Sequence, residues 1–195
     1  MKVILASHNP GKIHEFRAML EPVGFEIIPQ VELSVPPIAE TGLTFIENAL
    51  IKARHASAYT HFPAIADDSG LVVPALQGSP GIYSARYAGE RAMDSQNNKK
   101  LLLNMENLPE EQRQAYFYCA LVFMRHEYDP TPLIACGEWH GSILREPRGE
   151  QGFGYDPLFY VPEQQCSSAE LSTELKNKLS HRALALKALL GQLNR

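Results

Sequence analysis

The stretch that most constrains the fold opens the chain. An apolar run, Val3 to Ala6, leads into Ser7-His8-Asn9-Pro10-Gly11-Lys12, after which Ile13, Phe16, Met19 and Leu20 recur at helical spacing. A short apolar run, a Pro/Gly turn and then a 3.6-residue period predict a buried strand that feeds directly into a helix. The junction also carries chemistry. The first turn of a helix offers backbone N–H groups without intrahelical partners and the positive end of the dipole. Lys12 adds a full charge, and Gly11 lets the backbone approach a ligand closely. Such a turn suits phosphate oxygens. It is not a Walker loop, because the G-x-x-x-x-G-K-[ST] spacing is absent. An ordinary turn with a solvated lysine has the same outline, so the decision needs partners from elsewhere in the chain.

Further along, Phe25 to Ile28 reads as a second strand and the proline-bearing segment Pro29 to Gly42 as a loop with Glu40 near its end. Thr44 and Glu47 form a capping-box pair, so a helix is expected from Thr44, with Phe45, Ala49, Ala53 and Ala56 inward. Ala64-Ile65-Ala66 predicts a short buried strand ending in a turn, Asp67-Asp68-Ser69-Gly70, with another strand from Leu71 to Leu76. Arg91 to Leu108 has a helical pattern, with Lys99 and Lys100 on a solvated face. Ala115 to Arg125 and Leu133 to Leu144 read as long strands, and Gly152 to Val161 as a loop entering a strand. Ser167 and Glu170 suggest a second capping box before a C-terminal helix that buries Leu179, Leu186, Leu189, Leu190 and Leu193. Helices and strands in mixed order predict an α/β domain around a mixed sheet.

Composition narrows the function classes. A chain of 195 residues is expected to form one domain, residues 1–195, with a sizeable core. The formal net charge is −4, so a phosphate ligand must rely on a local basic cluster, and nucleic acid is not an expected partner. Cys119, Cys136 and Cys166 are widely spaced and odd in number, which fits reduced thiols and a cytoplasmic location. No run reaches the roughly 18 apolar residues of a membrane span, and the N-terminal apolar run is too short for a signal peptide. No membrane partner is expected.

Four groups of residues could carry chemistry. On a strand, Asp67 and Asp68 project to opposite faces, so one of them can point into a site and hold a hard cation or take a proton from water. Glu40 is the natural second carboxylate, and Lys52 lies on the capped helix. Gly152-Phe153-Gly154-Tyr155-Asp156-Pro157 leaves the Phe153 ring unobstructed for stacking on a planar base, and Asp156 could accept from a base edge. Lys176, Lys178, His181 and Arg182 form a basic cluster. A regular helix places Lys178 beside His181 and Arg182 and turns Lys176 away, so spacing alone leaves open which lysine reaches a ligand.

Taken together and in order, these segments resemble the inosine/xanthosine triphosphate pyrophosphatase family. The carriers are Ser7 to Lys12 with Glu15-Phe16, Glu40 to Ala49, Lys52-Ala53, Asp67 to Leu71, Pro80 to Tyr87, Gly152 to Pro157 and Ser180-His181-Arg182. The resemblance implies an elongated two-lobed α/β fold with a nucleotide cleft between the lobes, and a homodimer. It implies hydrolysis of deaminated purine nucleoside triphosphates (ITP, dITP, XTP) to monophosphate and pyrophosphate. Ser7, His8, Asn9, Pro10, Gly11, Lys12 and Lys52 would hold the triphosphate, with Ser69 beside it. Glu40 and Asp68 would bind Mg²⁺, and Asp68 would also be the proton acceptor. Phe153 would stack on the purine, with Gly154, Tyr155, Asp156, Lys176, His181 and Arg182 completing the pocket. Donors from His181, Arg182 or backbone N–H groups would pair with the six-oxo group and clash with adenine. The alternatives are a pyrophosphatase for other modified nucleotides and a non-catalytic nucleotide sensor. The chain departs from the family pattern at Leu175, where an acidic residue is common, and at Ala183, where glycine is common.

Overall fold

The computed structural model describes residues 1–193. β1 (Lys2–Leu5) runs into α1 (Pro10–Leu20), as the opening pattern predicts, with Val3, Ile4, Leu5, Phe16 and Leu20 fully buried. The chain continues through β2 (Glu26–Pro29), α2 (Phe45–Thr60), β3 (Ala64–Val72), α3 (Asp94–Asn104), β4 (Gln114–Met124) and β5 (Leu133–Ile143). It closes with β6 (Phe159–Val161), β7 (Cys166–Ser167), α4 (Thr173–Leu179) and α5 (His181–Leu193).

The strands form one sheet in the order β2-β1-β3-β4-β5-β6-β7. β1 is parallel to both neighbours, pairing Val3 with Ile27 and Ile4 with Ala64, and β6 is antiparallel to both of its own. The sheet is therefore mixed. Parallel pairing needs crossovers, and α1 and α2 supply them.

Two compact units share the chain. The first comprises Met1–Asp68, Cys119–Gly137 and the chain from Arg182 onward; the second comprises Ser69–Tyr118 and Glu138–His181. β3, β4 and β5 each begin in one unit and end in the other. Each unit has its own core. Leu5, Phe16, Leu20, Ile65, Leu121 and Leu189 cluster in the first, and Leu71, Leu101, Met105, Trp139, Leu158 and Phe159 in the second. A fully buried side chain of this size contributes about 1.5–3 kcal/mol.

Three expectations from the sequence are corrected. Asp67-Asp68-Ser69-Gly70 is not a turn but the middle of one continuous strand, β3. Gly70 marks a close backbone approach instead, since a Cβ there would lie 2.4 Å from both Gly81 O and Ser84 Oγ. The strand from Leu71 accordingly ends at Val72, and Pro74–Leu76 is a single 3₁₀ turn. The helix expected from Arg91 to Leu108 is shorter, with Gln96 Oε1 accepting from the Met93 N–H at its start and turn bonds such as Glu106 N to Leu103 O and Leu108 N to Met105 O after its end.

The Ser167/Glu170 capping box is present but closes a one-turn 3₁₀ helix, Ser168–Glu170. The last helix has its own cap at Ser172 and is broken at Ser180 (φ −65°, ψ 158°) into α4 and α5. A helical wheel drawn from Lys176 to Arg182 therefore does not apply. The proline-bearing loop also contains a 3₁₀ turn, Gln30–Leu33.

Candidate active site

In the first unit, the turn before α1 is pinned by its own side chains. Asn9 Oδ1 accepts from Lys12 N at 3.1 Å and caps the helix, while Pro10 takes a first-turn position where a missing N–H costs nothing. Ser7 Oγ accepts from Asn9 N at 3.2 Å, and Gln30 Nε2 donates to His8 Nδ1 at 2.8 Å. The first turn, which contains Gly11, carries no acidic residue to compete with an anion.

Alternation along β3 sends the two aspartates to different partners, as expected. Asp67 Oδ2 lies 2.9 Å from Lys12 Nζ and 3.4 Å from Arg182 Nε, and Arg182 Nη1 reaches Glu15 Oε2 at 2.9 Å. Burial alone would raise the Asp67 carboxyl, but Lys12, Arg182 and Lys52 outweigh it and hold the group well below the usual carboxylate range. Asp68 faces α2. Its Oδ1 accepts from Lys52 Nζ at 3.0 Å and its Oδ2 from Asn48 Nδ2 at 3.2 Å. Glu40 Oε1 lies 3.0 Å from the same Lys52 ammonium.

The sequence explains how this face of α2 is aimed. The capping box is complete, Glu47 N donating to Thr44 Oγ1 at 3.2 Å and Thr44 N to Glu47 Oε2 at 2.8 Å. Asn48 and Lys52, one turn apart, then point the same way. Asn48 Oδ1 also accepts from Gly42 N at 2.9 Å, tying down the loop that carries Glu40.

The electrostatics differ between the partners. Burial pushes Lys52 down, but Asp68, Asp67 and Glu40 reverse that, so it stays charged with a raised pKa. Burial raises Asp68 and Glu40 adds to it, against Lys52 and Lys12, leaving the carboxyl above its ordinary value. A positioned carboxylate of raised basicity suits proton acceptance from water.

In the ion pairs among the described residues, four carboxylates (Glu15, Glu40, Asp67, Asp68) face three cations (Lys12, Lys52, Arg182). Glu40 and Asp68 already converge on one cationic centre, and among the described residues no group of three His, Cys, Asp or Glu that could hold a metal forms there. Hard oxygen donors numbering one or two are what Mg²⁺ takes from a protein when phosphates and water supply the rest. The donor set fits that ion.

The second unit contains Ser69, half-buried on β3, and the aromatic loop. Asp156 organises that loop. Its Oδ2 accepts from Phe153 N at 2.9 Å and from Lys176 Nζ at 2.6 Å, and its Oδ1 from Ser168 Oγ at 2.9 Å. Gly152 is required where it stands, because its φ is +79° and a Cβ would lie 2.1 Å from Asp156 Oδ2. The Lys176 ammonium lies 5.0 Å from the centre of the Phe153 ring. Lys176 is buried and Lys178 exposed. Tyr155 is buried and donates its hydroxyl to Ser84 O at 2.8 Å. His181 stacks on Phe117, with ring centroids 4.8 Å apart and an interplanar angle of 13°.

The expected residues thus fall into two sets. Ser7 to Lys12, Glu40, Lys52, Asp68 and Arg182 belong to the first unit; Ser69, Phe153 to Asp156, Lys176 and His181 belong to the second. Arg182 is engaged with carboxylates of the first set. Sequence reasoning overlooked Ser168, the donor to Asp156, and gave Asn48, the partner one turn before Lys52, no role beyond its place in a motif. Glu15 entered only as part of a motif, although it lies three residues after Lys12 on α1. The i, i+3 and i, i+4 spacings were the available signals for Glu15 and Asn48.

The chain is similar to known proteins over nearly its whole length. The Ham1 family model matches residues 3–192. The chain is 58% identical over 193 residues to the dITP/XTP pyrophosphatase of Vibrio parahaemolyticus, covering 99% of this chain and 96% of that one. It is 57% identical over 188 residues to the dITP/XTP pyrophosphatase of Legionella pneumophila, covering 96% of each. Of solved structures, the HAM1 protein from Coxiella burnetii superposes with TM-score 0.91 at 49% identity, over 100% of this chain and 98% of that one. The nucleoside-triphosphatase / dITP/XTP pyrophosphatase of Mycobacterium abscessus superposes with TM-score 0.77 at 41% identity, over 97% and 99%.

Proposed function

Because this chain belongs to the Ham1 family, we infer that it hydrolyses deaminated purine nucleoside triphosphates (ITP, dITP and XTP) to the monophosphate and pyrophosphate, clearing them from the nucleotide pool. The observation that carries the chemistry is Asp68, held at 3.0 Å by Lys52 and at 3.2 Å by Asn48, with Glu40 on the same ammonium.

In this reading the turn Ser7 to Lys12 and Lys52 face the triphosphate oxygens, and Ser69 lies beside them. Asp68 orients the attacking water and accepts its proton while the water oxygen bonds to phosphorus and pyrophosphate leaves across the α–β bridge. Glu40 and Asp68 would hold Mg²⁺, which when bound neutralises phosphate charge and eases departure of the leaving group. Phe153 stacks on the purine, with Gly154, Tyr155, Lys176 and His181 around it. Asp156 serves by fixing the Phe153 backbone and Lys176. Arg182 serves by holding Asp67 beside Lys12. A pocket whose donors pair with a six-oxo group and meet the amino group of adenine can discriminate by about 10⁴.

No helix among the described residues is long and apolar enough to cross a membrane. The reading places the enzyme in the cytoplasm as a homodimer. Sedimentation velocity returning a monomer removes the assembly without touching the chemistry.

The deciding experiment is a nucleotide panel with pyrophosphate detection, run with and without Mg²⁺. Pyrophosphate release from ITP, dITP and XTP at least a hundredfold above ATP, and lost on chelation, is expected. ITP hydrolysed no faster than ATP removes the substrate assignment, and release unaffected by chelation removes the metal.

A further inference from the structure

We propose that Asp94 and Asn98, on α3, are positioning residues for base recognition: together they clamp the backbone of Gly154 and so fix the presentation of Phe153. The proposal rests on the reading that Phe153 stacks on the purine.

The geometry is two-handed. Asp94 Oδ2 accepts from Gly154 N at 2.6 Å, and Asn98 Nδ2 donates to Gly154 O at 3.0 Å. Asp94 and Asn98 are one turn apart on one helix face, so α3 acts as a rigid jaw closing on both polar groups of a single residue. A charged acceptor makes the Asp94 bond the stronger of the two. On the other side of Phe153, the Asp156 carboxylate takes the Phe153 N–H. Phe153 is thus held before and after its own Cα.

No side chain at Gly154 adds packing to these bonds. Gly154 has φ +63°, and a Cβ built there meets nothing within 4 Å. A cavity of about 450 Å³ adjoins the loop, lined by Asp94, Asn98, Lys99, Phe153 and Gly154 among others. A second observation points the same way. Asn98 is 9% exposed, and its Oδ1 is buried without a hydrogen-bond partner among the described residues. Leaving a buried acceptor unmade is unfavourable, and such exceptions call for an explanation. The bond from Nδ2 to Gly154 is what orients that amide.

The test uses Asp94→Ala, Asn98→Ala and the conservative Asp94→Asn, with two substrates: ITP, and ribose 5-triphosphate, which keeps the phosphates and lacks the base. Asp94→Ala is expected to raise KM for ITP about tenfold, as one lost bond to a charged group would, and Asn98→Ala, losing a neutral bond, about three- to fivefold, each with kcat within about twofold. Hydrolysis of ribose 5-triphosphate should stay within about twofold of wild type, and Asp94→Asn should recover part of the ITP affinity. Hydrogen exchange at the Gly154 amide should accelerate at least about tenfold in Asp94→Ala.

Unchanged exchange at Gly154 overturns the clamp. Equal losses on both substrates overturn the role in base recognition, leaving only a contribution to folding. Phe153→Ala separates the two levels. If it leaves the ITP KM unchanged, the stacking reading fails, while the exchange measurement still judges the clamp.

Discussion

Asp67 in the first unit and Asp156 in the second are both buried carboxylates with an ammonium in reach, at 2.9 Å from Lys12 and 2.6 Å from Lys176. Their company differs. Asp67 sits among full charges: Lys12, Arg182 and, one residue on, the Asp68–Lys52–Glu40 cluster. Asp156 shares its lysine with two neutral donors, the Phe153 N–H and the Ser168 hydroxyl. An ionic network has strength set by charge, and it can absorb the arrival of a polyanion and a cation by exchanging partners. A carboxylate collecting neutral donors has directions set by bonds, and it fixes the shape of a loop. In our reading the first unit manages charge and the second presents a surface.

The largest test of that contrast is Asp68→Asn. Turnover of ITP should fall by about 10³-fold, within the range for a lost general base, while the ITP Kd moves only a few-fold. Steady-state kinetics with calorimetric binding measures both, and wild-type turnover would break the assignment.

Asp67→Asn comes next. It strands Lys12 and Arg182 without their buried carboxylate, so stability should drop by about 3–5 kcal/mol in chemical denaturation. ITP and ribose 5-triphosphate should suffer alike, since the damage lies on the phosphate side. The same variant has a pH signature. The Asp67 pKa is depressed in the folded protein, so its contribution is present above the unfolded value and is lost as pH falls toward the folded one. The stability gap between wild type and Asp67→Asn should therefore narrow below about pH 4. A gap that widens there would contradict the ion pairing.

Phe153→Ala sharpens the other side. Stacking at about 1–3 kcal/mol predicts a KM for ITP raised roughly 5- to 150-fold, with ribose 5-triphosphate unchanged. Thr44→Ala should do least. It removes one cap of α2, costing about 1 kcal/mol, or a Tm lower by about 2–4 °C. Its KM should stay near wild type if Lys52 and Asn48 remain on the helix.

Much of this was legible without coordinates, because it depends on local periodicity. The strand–turn–helix at residues 3–20, the capping box at Thr44 and Glu47, and the opposite projection of Asp67 and Asp68 follow from which atoms neighbours in sequence can reach. Three features depend on partners that local periodicity does not supply. Asp-Asp-Ser-Gly has the composition of a turn, yet it runs straight because distant cations neutralise both aspartates and the backbone near Ser84 crowds Gly70. Lys176 is buried on Asp156, and a break at Ser180 ends the helical period on which the comparison with Lys178 relied. Leu175 packs against the core of the second unit.

The amino-acid order alone determined most element types, the capped start of α2 and the family, since each is written in neighbouring residues or in ordered motifs along the chain. Only the tertiary structure decided which charge meets which: Arg182 on Glu15 and Asp67, 167 and 115 residues away, or Asp94 and Asn98 on Gly154. Pairings of that kind depend on where folding brings the side chains, and spacing in the sequence carries no record of such distances.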